Sequence, residues 1–506
     1  MQVYGIHHFP SAVAPIVVTL RQLLTHLPGR LVGPDVEVSG VRHDSRTVVP
    51  GDLFAAIAGF QQDGAVFLED AIRRGAVALL TEVQRDTPLP QLIVPNARRA
   101  LALASELAYG APSRNLGVVG VTGTNGKTTT TFLLEAIARA AGGKPGVMGT
   151  VNFRCGEDVF ETPHTTAEAD DIARHARRWC DQGASHLFLE VSSHALELHR
   201  VDGLDFDVAT FTNITRDHLD FHGSMDAYRD AKARLFDELA PTHAVINVDD
   251  PFGRELAARA SGVLRYSCAG PADIHPLSAR VDGQGIRAHV KSPWGSINLE
   301  SPLIGHHNLA NLLGAIGCAL ALEIPPATIE RALRTCHGAP GRLDSVEHPR
   351  GAGVYVDYAH TPDALGNVLR CLRPLTEGRL FVVFGCGGER DRGKRAMMGQ
   401  VAAAHADLAI LTSDNPRSER PRAILDAIAL GARNSMADLR VHDLFAATRG
   451  MVVIEDRAEA IARAMEAARS GDVVLIAGKG HEREQEFADR VVPFDDANVA
   501  RAACRR

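Results

Sequence analysis

Short runs rich in Val, Ile and Leu alternate with longer Ala-rich stretches whose apolar residues recur at helical spacing, and the alternation persists almost from end to end. Continuous apolar runs mark strands covered on both faces, and the stretches between them supply the covering helices. The pattern predicts an α/β protein built on parallel sheets. Two stretches interrupt it with Gly, Pro and polar residues: 109–116 (YGAPSRNL) and 337–343 (HGAPGRL). They divide the chain into expected domains of 1–115, 116–342 and 343–506. A length of 506 residues suits three domains of roughly 150 each. No internal repeat or low-complexity tract is present.

Composition narrows the function classes. With 54 basic against 61 acidic side chains, a formal net charge of -7 and 45% apolar residues, a disordered or fibrous chain is excluded. No basic run offers a broad footprint for nucleic acid or an anionic membrane, so phosphate recognition has to be local. The eight cysteines (Cys155, Cys180, Cys268, Cys318, Cys336, Cys371, Cys386 and Cys504) form no CxxC pair. They are expected as reduced, mostly buried thiols and not as zinc ligands. The first twenty residues lack Lys and Arg, and the apolar stretch 12–20 is broken by Pro15. Neither a signal nor a transit peptide is expected, and no apolar run approaches the roughly 18 residues of a bilayer span. A soluble cytoplasmic protein without membrane insertion is the expectation.

Residues 120–130 (GVTGTNGKTTT) carry the strongest chemical signal. Residues 116–121 read as a buried strand. Phe132, Leu133, Ala136, Ile137 and Ala140 mark one face of a following helix that Gly142 and Gly143 can end. Strand, Gly-rich turn and helix N-terminus together make an anion cradle, with backbone N–H groups aimed at phosphate oxygens. Lys127 then reaches the outer phosphates, and the Thr128 hydroxyl suits Mg²⁺. Val121 stands where the strict phosphate-loop pattern has Gly, so the loop is a variant.

Glu190 ends the apolar run 187–191 (LFLEV), where ligands of parallel sheets gather, and is a candidate Mg²⁺ ligand; a strand-end carboxylate facing water is the plainer alternative. Residues 215–222 (TRDHLDFH) precede a helix from about Ser224 whose apolar stripe holds Tyr228, Ala231, Leu235, Phe236 and Leu239. Lys232 falls inside that stripe. Burial would depress its pKa, and a neutral amine can take up CO₂ as an anionic carbamate suited to Mg²⁺. On periodicity alone, a snorkelling lysine is the simpler reading. His218 is a metal ligand or a loop histidine.

The last third repeats one arrangement four times, a strand-like run followed by a polar loop: VYVDYAHTPDAL from 354, GCGGERDRGK from 385, DNPR from 414 and GKGHE from 478. Such loops converge on one sheet edge. Arg390 and Arg417 could fork onto carboxylates and Glu482 could receive an ammonium, which together would suit a zwitterionic amino acid. Taken singly, each is equally well a turn or a solvent-facing side chain.

These motifs together resemble the Mur ligase family, ATP-dependent enzymes that build the peptide stem of the peptidoglycan precursor, and in particular its members that add meso-diaminopimelate. The resemblance spans nearly the whole chain: Asp44, Ser45, Arg46 and PGDLF (50–54); GTNGKT, EVSSHAL, NITRDHLDFHG, YRDAKARLF, GHHNLAN and Gly341-Arg342; then VDYAHTPDAL, GGERDRGK, DNPR and AGKGHE. It implies a three-domain Mur ligase architecture, with a central P-loop-type ATPase domain on a parallel sheet and a C-terminal Rossmann-like domain. Gly123, Thr124, Asn125, Gly126, Lys127 and Thr128 would hold the ATP phosphates, with Asn308, Arg342 and Asp357 on the nucleotide. Thr128 and Glu190 would bind one Mg²⁺, and His218 with carbamylated Lys232 the second. Ser45, Thr165, Thr166, Ser192 and Arg200 would touch UDP-N-acetylmuramoyl-L-alanyl-D-glutamate. Arg390, Asp414, Asn415, Pro416, Arg417, Gly478 and Glu482 would form the diaminopimelate site, with Arg417 separating that substrate from L-lysine. Leu198, Ala167 and Phe60 depart from the family's pattern around the nucleotide sugar. The expected partners are these small molecules and ATP, acted on by a monomer. The rival readings are an L-lysine-adding or folylpolyglutamate-type relative, and a regulatory switch in which ATP only sets conformation.

Overall fold

In the computed structural model of the chain, residues 16–59, 62–162, 164–436 and 444–505 are described, which leaves Phe60 outside. The sheet that holds the Gly-rich loop has eight strands. In spatial order these are Asp158–Phe160, Phe153–Cys155, Pro145–Met148, His186–Glu190, Gly117–Thr122, Val208–Phe211, His243–Asn247 and Val263–Tyr266. Phe153–Cys155 pairs antiparallel with both of its neighbours, and the other pairings are parallel. The parallel strands carry apolar residues on both sides because both sides are covered. Leu133 and Ile137 of helix Lys127–Ala140 pack with Leu312 and Ile316 of His306–Ala321 on one face. Ile172 and Trp179 of Ala169–Asp181 pack with Leu235 and Phe236 of Met225–Asp237 on the other.

A second mostly parallel sheet orders Asp344–Ser345, Gly353–Asp357, Val473–Ala477, Leu380–Phe384, Leu408–Leu411 and Gly450–Val453, with only Asp344–Ser345 antiparallel. Helices Pro362–Leu372 and Gly393–His405 cover one face, and Arg457–Ala467 and Asp496–Ala503 the other. A five-stranded sheet nearer the N-terminus orders Arg30–Val32, Gln91–Ile93, Ala78–Thr81, Asp52–Ala55 and Gly40–Arg42. The α/β expectation is met in all three.

One element lies outside the sequence expectation. Strands His275–Asp282, Gly285–Ser292 and Gly295–Ser301 form an antiparallel sheet. Ile286, Ala288 and Val290 alternate with polar residues, as do Ile297 and Leu299, and this apolar set joins the core beneath helix Pro326–Leu333. Period-two alternation with Gly at both turns was the available signal. The thiols also differ from expectation. All eight are free, but only Cys155, Cys318 and Cys386 are buried, the other five being partly covered in loops, in helices or at a helix end. Among the described residues, no helix is long and apolar enough to cross a membrane.

Parallel register decides where chemistry gathers. Glu190 pairs with Val121, and Phe211 with Thr122, so the loops that follow these strands leave one edge side by side. Asp357 likewise pairs with Ala477, and Phe384 with Leu411, which gathers the loops after 357, 384, 411 and 477.

Candidate active site

Residues 123–126 turn tightly into helix Lys127–Ala140, with Gly126 in the left-handed region at φ 92°. A Cβ there would meet Asn311 Oδ1 at 2.3 Å, so glycine is required. Asn308 stands one step behind: its side chain donates to the Ile304 carbonyl and accepts from Asn311. Lys127 folds back over the loop, its Nζ donating to the Gly123 and Thr124 carbonyls at 2.7 and 3.0 Å. Burial lowers its pKa, opposed by Glu190 and Asp217. Asn125 donates to Asp363 of the C-terminal sheet's first long helix at 3.3 Å.

Glu190 is 1% exposed, which excludes the solvent-facing alternative. Its carboxylate accepts from Thr128 Oγ1 (2.9 Å), Thr150 N (2.9 Å) and Thr150 Oγ1 (3.0 Å). Among the described residues it belongs to no ion pair, and Gly149 leaves the space it fills, since a Cβ there would meet Oε1 at 2.2 Å. A buried carboxylate with neutral donors only, beside a hydroxyl, fits a hard divalent cation. Arg342 Nη2 donates to the same Thr128 hydroxyl at 3.3 Å.

Lys232 is 1% exposed, so the snorkelling reading fails. Its Nζ lies 4.7 Å from the centre of the Tyr228 ring. Burial drives its pKa well below the ordinary lysine value, and neighbouring Lys127 adds to the effect. Burial thus favours the neutral amine. His218 caps Leu219–His222 in the left-handed region at φ 53°, with Nε2 3.3 Å from Asp217. Burial pushes its pKa down to about 4, leaving a neutral imidazole able to ligate.

Next to this group, Thr166 Oγ1 donates to the Glu190 carbonyl and approaches Ser192 Oγ at 3.2 Å, while Arg200 donates to the Thr166 carbonyl and pairs with Glu168 at 2.7 Å. Thr165 joins through Thr150 Oγ1 at 3.1 Å. Ala167 is buried beside them, and Leu198 caps the short helix Ser193–Glu197. Ser45 is engaged elsewhere, donating to Asp70 at 2.9 Å.

The second sheet edge is bound to the first. Gly341 sits at φ 66°, and a Cβ there would collide with the Gly480–His481 peptide at 2.3 Å. Arg342 lies over the Tyr358 ring at 4.5 Å. Asp357 accepts from the backbone N–H groups of Leu343 and Ala359, and burial raises its pKa.

On that edge Asn415 Nδ2 donates to Glu482 Oε2 at 3.0 Å, and Lys479 Nζ reaches the same oxygen at 3.0 Å, Asn415 Oδ1 at 2.8 Å and Asp414 Oδ1 at 3.6 Å. A Cβ on Gly478 would lie 3.7 Å from Asp414. Arg417, left-handed at φ 52°, donates to the Gly388 carbonyl at 2.8 Å and pairs with Glu486 at 2.9 Å. A Cβ on Gly387 would meet Arg417 at 3.1 Å and exposed Arg390 at 3.6 Å, so the two guanidinium side chains flank one glycine. The Pro416 carbonyl packs on Gly388.

Sequence reasoning missed Thr150, Asp217, Lys479, Arg457 and Glu486. Lys479 had a signal, a lysine between two glycines directly after a strand; Thr150 had none, because only folding brings it to Glu190.

The chain matches three family models: "Mur ligase family, catalytic domain" over 37–109, "Mur ligase middle domain" over 121–319 and "Mur ligase, glutamate ligase domain" over 341–480. It is 42% identical over 496 residues to the UDP-N-acetylmuramoyl-L-alanyl-D-glutamate--2,6-diaminopimelate ligase of Geobacillus thermodenitrificans, covering 96% of this chain and 99% of the relative. It is 46% identical over 477 residues to the enzyme of that name from Syntrophomonas wolfei, covering 92% and 95%. A solved structure of a ligase with that name superposes with a TM-score of 0.68 at 34% identity, covering 97% of this chain and 99% of the other.

Proposed function

The chain belongs to the Mur ligase family, and from that premise we propose that it joins meso-diaminopimelate to the D-glutamyl γ-carboxylate of UDP-N-acetylmuramoyl-L-alanyl-D-glutamate, at the expense of ATP. One observation carries the reading beyond the family. A phosphate loop with a buried carboxylate is tied, by Asn125 to Asp363 and by Arg342 to Tyr358, to the C-terminal sheet edge that carries two arginines and an Asp–Asn–Glu–Lys cluster. Phosphate, carboxylate and ammonium groups are the three kinds of charge this reaction brings together.

A carboxylate does not condense with an amine in water at useful rates, so it has to be activated. The γ-phosphoryl passes from ATP to the D-glutamyl carboxylate, forming an acyl phosphate and ADP. Lys127 leaves the Gly123 and Thr124 carbonyls to follow the transferring charge, and the loop N–H groups hold the remaining phosphates. Thr128 and Glu190 would hold one Mg²⁺, and His218 with carbamylated Lys232 a second, and these ions would neutralise charge at the phosphates. The carbamate forms by addition of the neutral Lys232 amine to CO₂, with release of one proton. Asn308, Arg342 and Asp357 orient the nucleotide, while Ser45, Thr165, Thr166, Ser192 and Arg200 orient the UDP-sugar dipeptide.

The free amine of diaminopimelate then attacks the acyl phosphate. A tetrahedral intermediate expels inorganic phosphate, and the amide remains. Arg390 and Arg417 take carboxylates of the incoming amino acid, while Asp414, Asn415 and Glu482 take its ammonium, with Pro416 and Gly478 shaping the wall. Closure of the two sheet edges on one another keeps water from the acyl phosphate. The enzyme works as a cytoplasmic monomer on small-molecule substrates.

ADP release and product mass test this directly. Wild-type protein given ATP, Mg²⁺, the nucleotide dipeptide and meso-diaminopimelate should release one ADP per new amide, and L-lysine should not substitute. Faster turnover with L-lysine would shift the substrate assignment, and ATP binding with no amine-dependent ADP release would overturn the ligase reading.

A further inference from the structure

Lys479 is a fully buried cation at the C-terminal sheet edge. Its side chain is 0% exposed at the end of strand Val473–Ala477. The flanking glycines make the position possible: Gly478 and Gly480 adopt φ 115° and 54°, and a Cβ on Gly480 would strike Tyr358 and the Gly341 carbonyl at 2.7 Å. The chain thereby turns sharply enough to send the next side chain inward. The Lys479 ammonium bridges two loops far apart in sequence, contacting Asp414 and Asn415 from one and Glu482 from its own.

Two features of this network point to the incoming amino acid. Lys479 and Asn415 both donate to Glu482 Oε2, so Oε1 receives neither of them. Arg457 is bound to Asp496 through two hydrogen bonds at 2.8 and 2.7 Å while also attracting Asp414 and Glu482, and Arg417 pairs with Glu486. Lys479 is the ammonium in direct contact with both Asp414 and Glu482. The Glu482 side chain stays 32% exposed, so an entering cation can still reach it.

Resting on the function proposed above, we propose that Lys479 is a positioning residue for the amino-acid substrate. It holds Asn415 and Glu482 in one geometry, so that the Glu482 carboxylate is presented to the ammonium of the entering amino acid. The side chain does not touch the reacting atoms. It sets where the acceptor oxygen lies.

Steady-state kinetics of Lys479→Met, close in size but uncharged, tests this. The KM for meso-diaminopimelate should rise about 30-fold or more, as when one partner of a buried charge pair is removed, with the KM values for ATP and the UDP-sugar dipeptide within about twofold. In Lys479→Ala, n-butylammonium should lower the raised KM, and n-butanol, which fills the same space without charge, should not. A diaminopimelate KM within twofold of wild type in Lys479→Met overturns the assignment, as does equal rescue by the alcohol. Loss of ATP binding in both variants also overturns it, since that marks a scaffold role. Failure of the wild-type enzyme to use meso-diaminopimelate would instead strike the proposed function, and Lys479 would then be judged on the KM of whichever amine is used.

Discussion

The phosphate loop and the proposed amino-acid pocket solve opposite problems with different materials. At 123–128, recognition is built mainly from backbone. Its one cation, Lys127, rests on two carbonyls of its own loop, and the adjoining carboxylate, Glu190, is surrounded by neutral donors. At 414–417 and 478–482, recognition is built from side chains already bonded to one another, with Lys479, Asn415 and Glu482 fixed in advance. The first site lets its ligand's charge complete it; the second has much of its polar network closed before any ligand enters. A backbone cradle accepts any triphosphate of the right shape, whereas a cross-bonded pocket discriminates among amines, because a wrong occupant leaves buried polar groups unpaired.

The comparison breaks most sharply at Lys127. Lys127→Ala should lower ligation about a thousandfold or more, because the charge that follows the transferring phosphoryl group is lost. Amide formation measured by ADP release checks this, and near-normal turnover would remove Lys127 from its role. The mirror-image change is Arg417→Ala. It should raise the KM for meso-diaminopimelate about a hundredfold while leaving the KM for ATP within about threefold. Equal losses in both constants would mean that the two regions are one coupled site and the contrast is false.

The same contrast explains what the sequence could reveal. The phosphate loop is contiguous, so strand 117–122, the turn and the helix with Gly142 beyond its end were legible from local pattern alone. The strand ends at Glu190 and Asp357 and the helix start at Pro362 were equally local. The amino-acid pocket draws on loops after three different strands. Its motifs were visible one by one, yet the meeting of Lys479 with Asn415 depends on sheet order, which no local signal encodes. Lys232 marks the boundary between these cases: its helical position was readable, but periodicity favoured an exposed head, and only the packing around Tyr228 buries it and lowers its pKa.

The smallest effect is expected at a contact belonging to neither pocket, where the N-terminal sheet region meets helix Ala169–Asp181. His43 donates its backbone N–H to Asp170 at 3.2 Å, and its Nδ1 lies 2.7 Å from the same carboxylate. His43, Asp170 and Asp171 lie close enough for a metal site, but Asp170 is already engaged by the imidazole, so the group reads as an ion pair. Burial alone would push the His43 pKa down. Asp170, with smaller help from Asp171 and Glu168, carries it up from 6.5 to about 9. Asp170 is disfavoured as an anion by burial, yet His43, Arg174 and Arg42 hold it down at about 2. The raised histidine contributes its full stability below pH 6.5 and loses it as pH rises through about 9. The lowered aspartate contributes fully above pH 3.8 and loses it as pH falls through about 2. The pair is therefore worth most between those ordinary values, about 2 kcal/mol once partial solvent screening is allowed for. His43→Asn keeps a hydrogen-bonding side chain but not the charge. Its first thermal transition should fall about 2 °C or more below wild type at pH 6, with the gap closing by pH 10. A gap that stays constant across that range would mean the contact holds the two regions together by hydrogen bonding alone, without charge.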